Sequence, residues 1–427
     1  MRTTFIALAL LALSVGIMQS CTKEPLQSTT NSTGQSSNLI AGNALSGTQK
    51  LSTAKEKILS KAAAILKADN LQSELLKKLA QLRATKNVAA STCSSTTFYN
   101  LIDRYLSKFG EAEYELYGLY TAINYLYNYI DNSKQYFGAS GENTHLVTKE
   151  KRNLESFWDM PFNVQLKGEH NSTLNNRDKI AKVYIEFAGA TKEEAYSYAD
   201  ELIAFNKQSP VFVETPLLSF DAFSDPGRMI VLGDGIIQVL SEAGVDDKIV
   251  VPGVLSHEWA HQLQFINSKD WFGVSVNEWP FTSEFTRLTE LEADCFAGYY
   301  LTHKRGGTYN WKRVAQFFTL FYNIGDCYFD DPSHHGTPNE RLAAARLGYI
   351  IADETFPKGH ILSADAINSI YMASFNSIIN TTISTQQALA KLKGAELKAI
   401  YKNLLKYKAQ IKAIANGSMS QANIENL

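Results

Sequence analysis

The sequence has little of several features that define whole classes of protein. Its 427 residues include four cysteines, which are too few for a scaffold built on disulfides. Neither sign of charge prevails, because 41 Lys and Arg stand against 43 Asp and Glu, so no nucleic-acid partner is expected. A Gly-rich phosphate loop and internal repeats are also missing. The 45% of apolar residues is ample for a packed core, which excludes wholesale disorder.

Long apolar runs are rare too, apart from one near the N-terminus. Met1 and Arg2 precede an apolar run over residues 5–18, which is shorter than the roughly 20 residues that a transmembrane helix needs. A positive start followed by such a run is typical of a signal peptide, predicted here over residues 1–20. The following Gln19-Ser20-Cys21 resembles a bacterial lipoprotein box, in which the cysteine is acylated after cleavage.

The lipoprotein box implies a membrane contact through a lipid anchor at Cys21. Residues 21–50 are rich in Ser, Thr, Asn, Gln and Gly and contain few large apolar side chains, which indicates a flexible tether. Anchor and tether together predict an exported cell-envelope lipoprotein, held at the outer membrane on its periplasmic or surface face. The alternative is an unlipidated signal peptide followed by a chance cysteine.

The other cysteines are Cys93, Cys295 and Cys327. Because their number is odd, at least one thiol in an oxidising compartment is free or pairs with another chain. A Cys295–Cys327 disulfide is the favoured pairing, since both residues fall in one predicted domain. Buried free thiols are the alternative.

Helical periodicity governs most of the remaining chain. Apolar residues recur at helical spacing over 51–85, 98–137, 181–207 and 362–415, and Thr191 begins one of these helices. Residues 228–232 form a short apolar run bounded by turn residues, which predicts a strand. The expected fold is α+β and predominantly α-helical.

Residues 257–261, His-Glu-Trp-Ala-His, match the motif His-Glu-x-x-His. On a helix the two histidines lie on one face, one turn apart, and can ligate one Zn²⁺. Glu258 is rotated by about 100° from His257, which places its carboxylate beside the metal. There it can accept a proton from water, so the motif predicts a hydrolytic zinc site.

A third ligand is expected on a second helix, which starts near Thr282. Glu290 and Asp294 are four residues apart and share a face, so Glu290 can ligate the metal while Asp294 orients a zinc histidine. Glu292 points about 200° away from Glu290 and cannot face the same metal. The alternative is a solvated acidic face, but apolar neighbours such as Leu291 favour a buried role.

Together these motifs resemble the bacterial neutral zinc metallopeptidases, a gluzincin-type family. The likeness covers residues 215–350 and includes Glu-Leu-x-Ala-Asp-Cys-x-Ala-Gly at 290–298, Ile-Gly-Asp at 324–326 and His-Gly-Thr with a later Arg at 335–341. It implies a zincin-like core with a small antiparallel sheet and helical N- and C-terminal extensions. The strand at 228–232 would be an edge strand that lines the cleft and binds peptide by strand addition.

The resemblance also implies roles for single residues. It implies that one Zn²⁺ per chain is bound by His257, His261 and Glu290. It also implies that Glu258 is the general base and that Asp294 supports a ligand from behind. It implies that His335 donates to the developing oxyanion and that Arg341 pairs with a nearby carboxylate. An alternative for His335 is a cap of the helix that begins near Pro338.

The expected organisation and function follow from these assignments. The predicted regions are a signal peptide (1–20), a lipidated cysteine with its tether (21–50), a helical N-terminal region (51–210), a metallopeptidase core (211–350) and a helical C-terminal region (351–427). The predicted function is an envelope-anchored zinc endopeptidase that hydrolyses a peptide or protein substrate with a zinc-activated water. The alternatives are a surface binding lipoprotein with a structural or vestigial zinc site, and a zinc hydrolase whose substrate is not a peptide.

Overall fold

The structure is a computed structural model that describes residues 52–65, 96–160, 164–309, 311–327, 329, 331–419 and 423. The predicted signal peptide, Cys21, the tether and Cys93 lie outside the described residues. So does the predicted helical stretch beyond residue 65, up to residue 85. Within the described part, no helix combines the length and the apolar character that crossing a bilayer requires.

Helices dominate the described chain. In the first half of the chain they are α1 (residues 52–65), α2 (Thr97–Leu106), α3 (Glu111–Ile130), α4 (Thr144–Phe157), α5 (Arg177–Val183) and α6 (Lys192–Gln208). Those that follow are α7 (Asp234–Glu242), α8 (Asp247–Phe272), α9 (Ser283–Thr302), α10 (Trp311–Ile324), α11 (Pro338–Glu354), α12 (Ala364–Ile378), α13 (Thr385–Ala390), α14 (Ala395–Leu404) and α15 (Lys408–Ala415). The predominantly helical α+β fold class is therefore confirmed.

Three strands form one small sheet: β1 (Gln165–Glu169), β2 (Ala222–Asp225) and β3 (Met229–Gly233). Their order is β1-β3-β2, with β3 parallel to β1 and antiparallel to β2. The sheet is thus mixed, because β1 adds a parallel pairing to the expected antiparallel one. The predicted strand near 228–232 forms as β3, but it lies in the centre of the sheet. The turn at Pro226-Gly227 folds β2 back onto β3, and β1 and β2 are the two edge strands.

Helix boundaries follow local capping signals. Thr191 caps α6, with its side chain accepting from the N–H of Glu194, and Thr282 caps α9 in the same way. The predicted helical stretch 98–137 is divided into α2 and α3, where Gly110 supplies an extended N-cap. The stretch 362–415 is likewise divided among the helices α12 to α15.

The described chain forms two compact units. The first comprises Phe109–Asn132, Ser172–Glu214 and the described residues up to Ile65. Its core includes Tyr120 and Phe212, whose rings contact each other edge to face at 5.1 Å. The second unit comprises residues 96–108, Ser133–Asn171 and the described residues from Thr215 onwards. It contains the sheet and every residue of the predicted metal site.

Two glycines allow α9 and α11 of the second unit to pack closely. A Cβ at Gly298 would lie 2.3 Å from the carbonyl oxygen of Ala345, and one at Gly348 would lie 2.0 Å from that of Cys295. Only a residue without a side chain lets two backbones approach in this way. This contact brings the first turn of α11 next to the middle of α9, where the predicted acidic residues lie.

The favoured Cys295–Cys327 disulfide is wrong. Cys327 is disulfide-bonded, whereas Cys295 is a free thiol with no exposed surface. Cys295 lies within the most buried stretch of α9, against α11, and burial raises the pKa of its thiol well above the usual value. Shared membership of one domain did not decide the pairing, because a disulfide needs close and correctly directed Cβ atoms.

Candidate metal centre

One face of α8 lines a cleft that is open to solvent. Residues at helical spacing contribute to it: Val254, His257, Glu258, His261 and Phe265. The opposite face of α8 is anchored in the core, where Trp259 is fully buried and its Nε1 donates to Sδ of Met160 at 3.0 Å. Helical spacing therefore directs His257, Glu258 and His261 into the cleft while Trp259 faces the core.

The sheet is fastened to α8 by side chains that hydrogen-bond to backbone. Oγ of Ser224 donates to the carbonyl oxygen of Glu258 at 2.6 Å. Nε2 of Gln262 donates to the carbonyl oxygens of Asp225 at 3.0 Å and Met229 at 3.1 Å. These bonds hold the edge strand β2 beside the motif, and residues 222–224 of β2 line the cleft.

His257, His261 and Glu290 converge on one point and can hold a metal ion. Nε2 of His257 lies 3.1 Å from Nε2 of His261 and 3.3 Å from Oε2 of Glu290. Nε2 of His261 lies 3.6 Å from Oε1 of Glu290. Donors placed 2.0–2.1 Å from a tetrahedral ion are about 3.3 Å from one another, so this spacing fits such an ion.

Polar contacts on the far side of each ring indicate which imidazole nitrogen faces that point. Nδ1 of His257 lies 2.9 Å from Oδ1 of Asp294, and Nδ1 of His261 lies 2.8 Å from Oε1 of Gln264. Both oxygens are acceptors, so each Nδ1 carries the proton in the neutral ring. The two Nε2 lone pairs and the Glu290 carboxylate therefore face one another, an arrangement that a cation stabilises.

The electrostatics of the group agree with this geometry. Burial acts to lower the pKa of His257, but Asp294 and Glu290 raise it to about 9. Burial lowers the pKa of His261 to about 4. Burial acts to raise the pKa of Glu290, but the two histidines and Arg341 lower it to about 2. The Glu290 carboxylate thus stays ionised at neutral pH, and its negative charge favours a cation at the point between the three side chains.

Asp294 and Arg341 form a buried ion pair behind the ligands. Nε and Nη2 of Arg341 donate to the two carboxylate oxygens of Asp294 at 2.8 and 2.9 Å, and neither side chain is exposed. Nη2 of Arg341 also lies 3.7 Å from Oε2 of Glu290. The structure thus places Asp294 beside His257, and Arg341 beside the carboxylates of Asp294 and Glu290. A bidentate pair of this kind fixes the orientation of both groups.

A second network supports His261, and the sequence analysis did not predict it. Nε2 of Gln264 donates to the carbonyl oxygen of Thr289 at 2.7 Å and to Oε2 of Glu292 at 3.1 Å. Nδ2 of Asn368, on α12, donates to Oε1 of Glu292 at 2.6 Å. Glu292 points away from Glu290, as expected from its position on the helix, and is fully buried. Gln264 lies three residues after His261, a spacing that could have identified it.

His335 lies in the loop before α11 and lines the cleft. Its Nδ1 is 3.6 Å from Oε2 of Glu290, and its backbone N–H donates to Oδ2 of Asp326 at 2.8 Å. Asp326 also lies 2.5 Å from Nδ1 of His334, so one carboxylate organises this loop. The cap of α11 is Thr337, which excludes the capping alternative for His335.

Comparison of the chain with family models, with curated proteins and with solved structures found no match. The geometry shows a His257–His261–Glu290 group that can hold a metal, with a second glutamate, Glu258, in the same cleft.

Proposed function

We propose that this protein is a zinc-dependent metallopeptidase. The observation that carries the proposal is the convergence of two imidazole Nε2 atoms and one carboxylate at tetrahedral spacing, at the wall of an open cleft. Structural zinc sites usually have four protein ligands, whereas hydrolytic sites have three and leave one position for water. Among the described residues, the group has three members, which favours the hydrolytic class.

Zinc is the metal that this donor set suits best. Imidazole nitrogen favours Zn²⁺ and other transition metals over Mg²⁺ and Ca²⁺, which prefer ligand sets made of oxygen alone. Two histidines and one glutamate are also a ligand set known from hydrolytic zinc sites. When bound, zinc lowers the pKa of a water and polarises a carbonyl group.

The roles of the protein side chains follow from their places in the cleft. Glu258 is 6% exposed and follows the ligand His257, so its carboxylate is placed to accept the proton of the attacking water and pass it to the leaving amine. His335 faces the cleft and is placed to donate to the oxygen of the reacting carbonyl. Asp294 and Gln264 hold the ligand rings and touch no reacting atom.

A peptide substrate is favoured over other hydrolysable groups by the position of β2. This edge strand contributes residues 222–224 to the cleft wall and is held against α8 by Ser224 and Gln262. An extended peptide can add to a sheet edge through main-chain hydrogen bonds. The expected strand-addition role thus moves from β3, which is paired on both sides, to β2.

The place of action is also a proposal. The sequence features before residue 51 indicate export and a lipid anchor at Cys21, which would hold the enzyme at the bacterial outer membrane by its tether. Labelling of whole cells with a clickable fatty acid, in the native protein and in Cys21→Ser, tests this directly. Label in the native protein alone supports the anchor, and label in neither contradicts it.

The experiment that tests the function combines metal content with hydrolysis. Residues 22–427 are purified as native protein, Glu258→Gln and Glu290→Ala, and zinc is measured by elemental mass spectrometry. Casein and a quenched peptide library report hydrolysis. We expect one zinc in the native protein and in Glu258→Gln, at least about tenfold weaker zinc binding in Glu290→Ala, and hydrolysis by the native protein alone. Glu284→Ala, an exposed change on the same helix, is the matched control.

Two outcomes would contradict the proposal. Full hydrolysis by Glu258→Gln would exclude Glu258 as the general base. One tightly bound zinc without hydrolysis of any peptide would favour the surface binding lipoprotein, in which the metal has a structural role.

A further inference from the structure

A patch of large aromatic side chains borders the metal cleft and plays no part in the proposed chemistry. Phe265 and Trp279 line the cleft and are both partly exposed. Their rings lie 5.4 Å apart, and the ring of Phe265 also stacks beside that of His261 at 6.3 Å. We define the aromatic shelf as Phe265, Trp279 and the two rings behind them, Phe272 and Phe285.

The shelf is held in a defined position. The ring of Trp279 lies 5.7 Å from that of Phe272 and 5.3 Å from that of Phe285. Nε1 of Trp279 donates to Oγ of Ser268 at 2.6 Å, which orients the indole. These contacts hold the indole of Trp279 in one orientation, so its exposed surface has a defined position.

The location of the shelf along α8 relates it to the reacting group. Val254 and Phe265 mark the two ends of the face that lines the cleft, with the histidine ligands between them. They are separated by a rise of about 16 Å, which about five residues of an extended peptide would span. Phe265 follows His261 by one helical turn, so the shelf lies within about two peptide residues of the metal ligands.

The apolar side chains of the cleft differ in exposure. Aliphatic side chains that also line the cleft belong to the core, and each is at most 9% exposed: Ile236, Leu240, Leu320 and Ile324. The end at Phe265 presents aromatic rings to solvent, and Phe281, two residues after Trp279, is 59% exposed. Apolar surface of this extent beside a polar site is typical of a place where a ligand binds.

We propose that the aromatic shelf is a specificity subsite that binds a large apolar side chain of the peptide substrate, aromatic or aliphatic, within two residues of the cleaved bond. This inference rests on the proposed peptidase function and names its substrate class. Because the rings are flat and lie at the open end of the cleft, they favour a substrate side chain with a large apolar area and set no strict limit on its size. Peptides with an acidic residue at this position would be disfavoured, because the faces of aromatic rings carry partial negative charge and offer no partner for a carboxylate.

The test uses quenched peptides with an alanine scaffold and a single Phe, Leu or Glu at each position in turn. We expect the zinc-loaded native protein to cleave within two residues of Phe or Leu, with kcat/KM at least about tenfold above the alanine scaffold. Trp279→Ala and Phe265→Ala should reduce this preference to about threefold or less, with zinc content unchanged. If Trp279→Ala fails to fold, Phe265→Ala still tests the shelf, because Phe265 lies on a regular helix that alanine can continue.

Phe356→Ala is the matched control, because Phe356 is 65% exposed and is not among the residues lining the cleft. It should keep the native preference. An unchanged preference in both shelf variants, or a native protein that prefers Glu or shows no preference, would overturn the inference while leaving the peptidase function intact.

A binding measurement separates the two proposals if hydrolysis is absent. Zinc-loaded Glu258→Gln is titrated with fluorescein-labelled Phe and Ala peptides, with and without Trp279→Ala. Phe-selective binding that Trp279→Ala abolishes would support the shelf even where no peptide is cleaved. Binding that does not depend on Phe or on Trp279 would overturn the shelf.

Discussion

Nδ1 of His257 lies 2.9 Å from Oδ1 of Asp294, a carboxylate that has no exposed surface. This contact directs Nε2 of His257 towards the other ligands, and Arg341 in turn holds the carboxylate through two hydrogen bonds. The other histidine, His261, has a neutral amide, that of Gln264, in the equivalent place. The two ligands are therefore oriented by partners of different charge, and each partner can be tested separately.

The first prediction concerns Asp294→Asn. The variant removes the negative charge that holds the proton on Nδ1 of His257, and zinc affinity should fall about 10- to 100-fold. It also leaves the buried Arg341 without its anion, so the protein should lose about 3–5 kcal/mol of stability. Competition with a chelator gives the affinity, and urea unfolding gives the stability.

Asp365→Asn is the matched control for that variant. Asp365 also accepts a side-chain hydrogen bond, from Nε1 of Trp271 at 2.7 Å, but it lies outside the metal centre. Its zinc affinity should equal that of the native protein. Native zinc affinity in Asp294→Asn would show that the carboxylate has no role in holding the ligand.

The second prediction uses two neighbouring glutamines on α8. Gln264→Ala removes the acceptor for Nδ1 of His261, so zinc affinity should fall about tenfold or more. Gln262→Ala removes the bonds to the carbonyl oxygens of Asp225 and Met229, so it should lower stability by about 1–3 kcal/mol while the folded protein keeps its zinc affinity. Isothermal titration with zinc, alongside thermal unfolding, measures both. Equal loss of affinity in the two variants would contradict the specific role of Gln264.

The third prediction concerns the pH dependence of stability. Burial raises the pKa of Glu292 from 4.5 to about 7 in the folded protein, despite the hydrogen bonds from Asn368 and Gln264. A carboxyl group with a raised pKa binds its proton more tightly when folded, so stability is full below pH 4.5 and is lost as the pH rises through 7. The loss is on the order of 3 kcal/mol.

Glu292→Gln removes this titration. The variant should be less sensitive to pH between 4.5 and 8 than the native protein, and its relative stability should increase as the pH rises. Urea unfolding of the metal-free proteins at a series of pH values measures the difference. Parallel curves for the two proteins would refute the raised pKa of Glu292.

Local geometry accounts for the parts of the centre that could be predicted. A spacing of four residues on a helix places His257 and His261 on one face whatever else the chain does, and Glu258 next to them. The caps Thr191 and Thr282 likewise mark helix starts through bonds within one turn. The predicted separation of Glu290 from Glu292 also depends only on the helical rotation between them.

Other features depended on contacts between distant segments. Asn368 reaches Glu292 from a helix that lies more than seventy residues further along the chain, so no local pattern indicated it. The strand order of the sheet also depended on distant segments, because β1 pairs with β3 across a stretch of chain that includes two helices. An isolated apolar strand such as β3 has the same sequence signature at an edge as in the centre.

The sequence by itself determined the helical character of the chain, the position of its metal-binding motif and the side of the helix on which each acidic residue lies. Only the tertiary structure decided that Glu290 meets the two histidines, that Gln264 holds one of them, and that Cys295 stays a free thiol. The physical reason is that the direction of a side chain on a helix is set by the local backbone. The distance between two helices is set instead by packing, here by the close contact of Gly298 with Ala345.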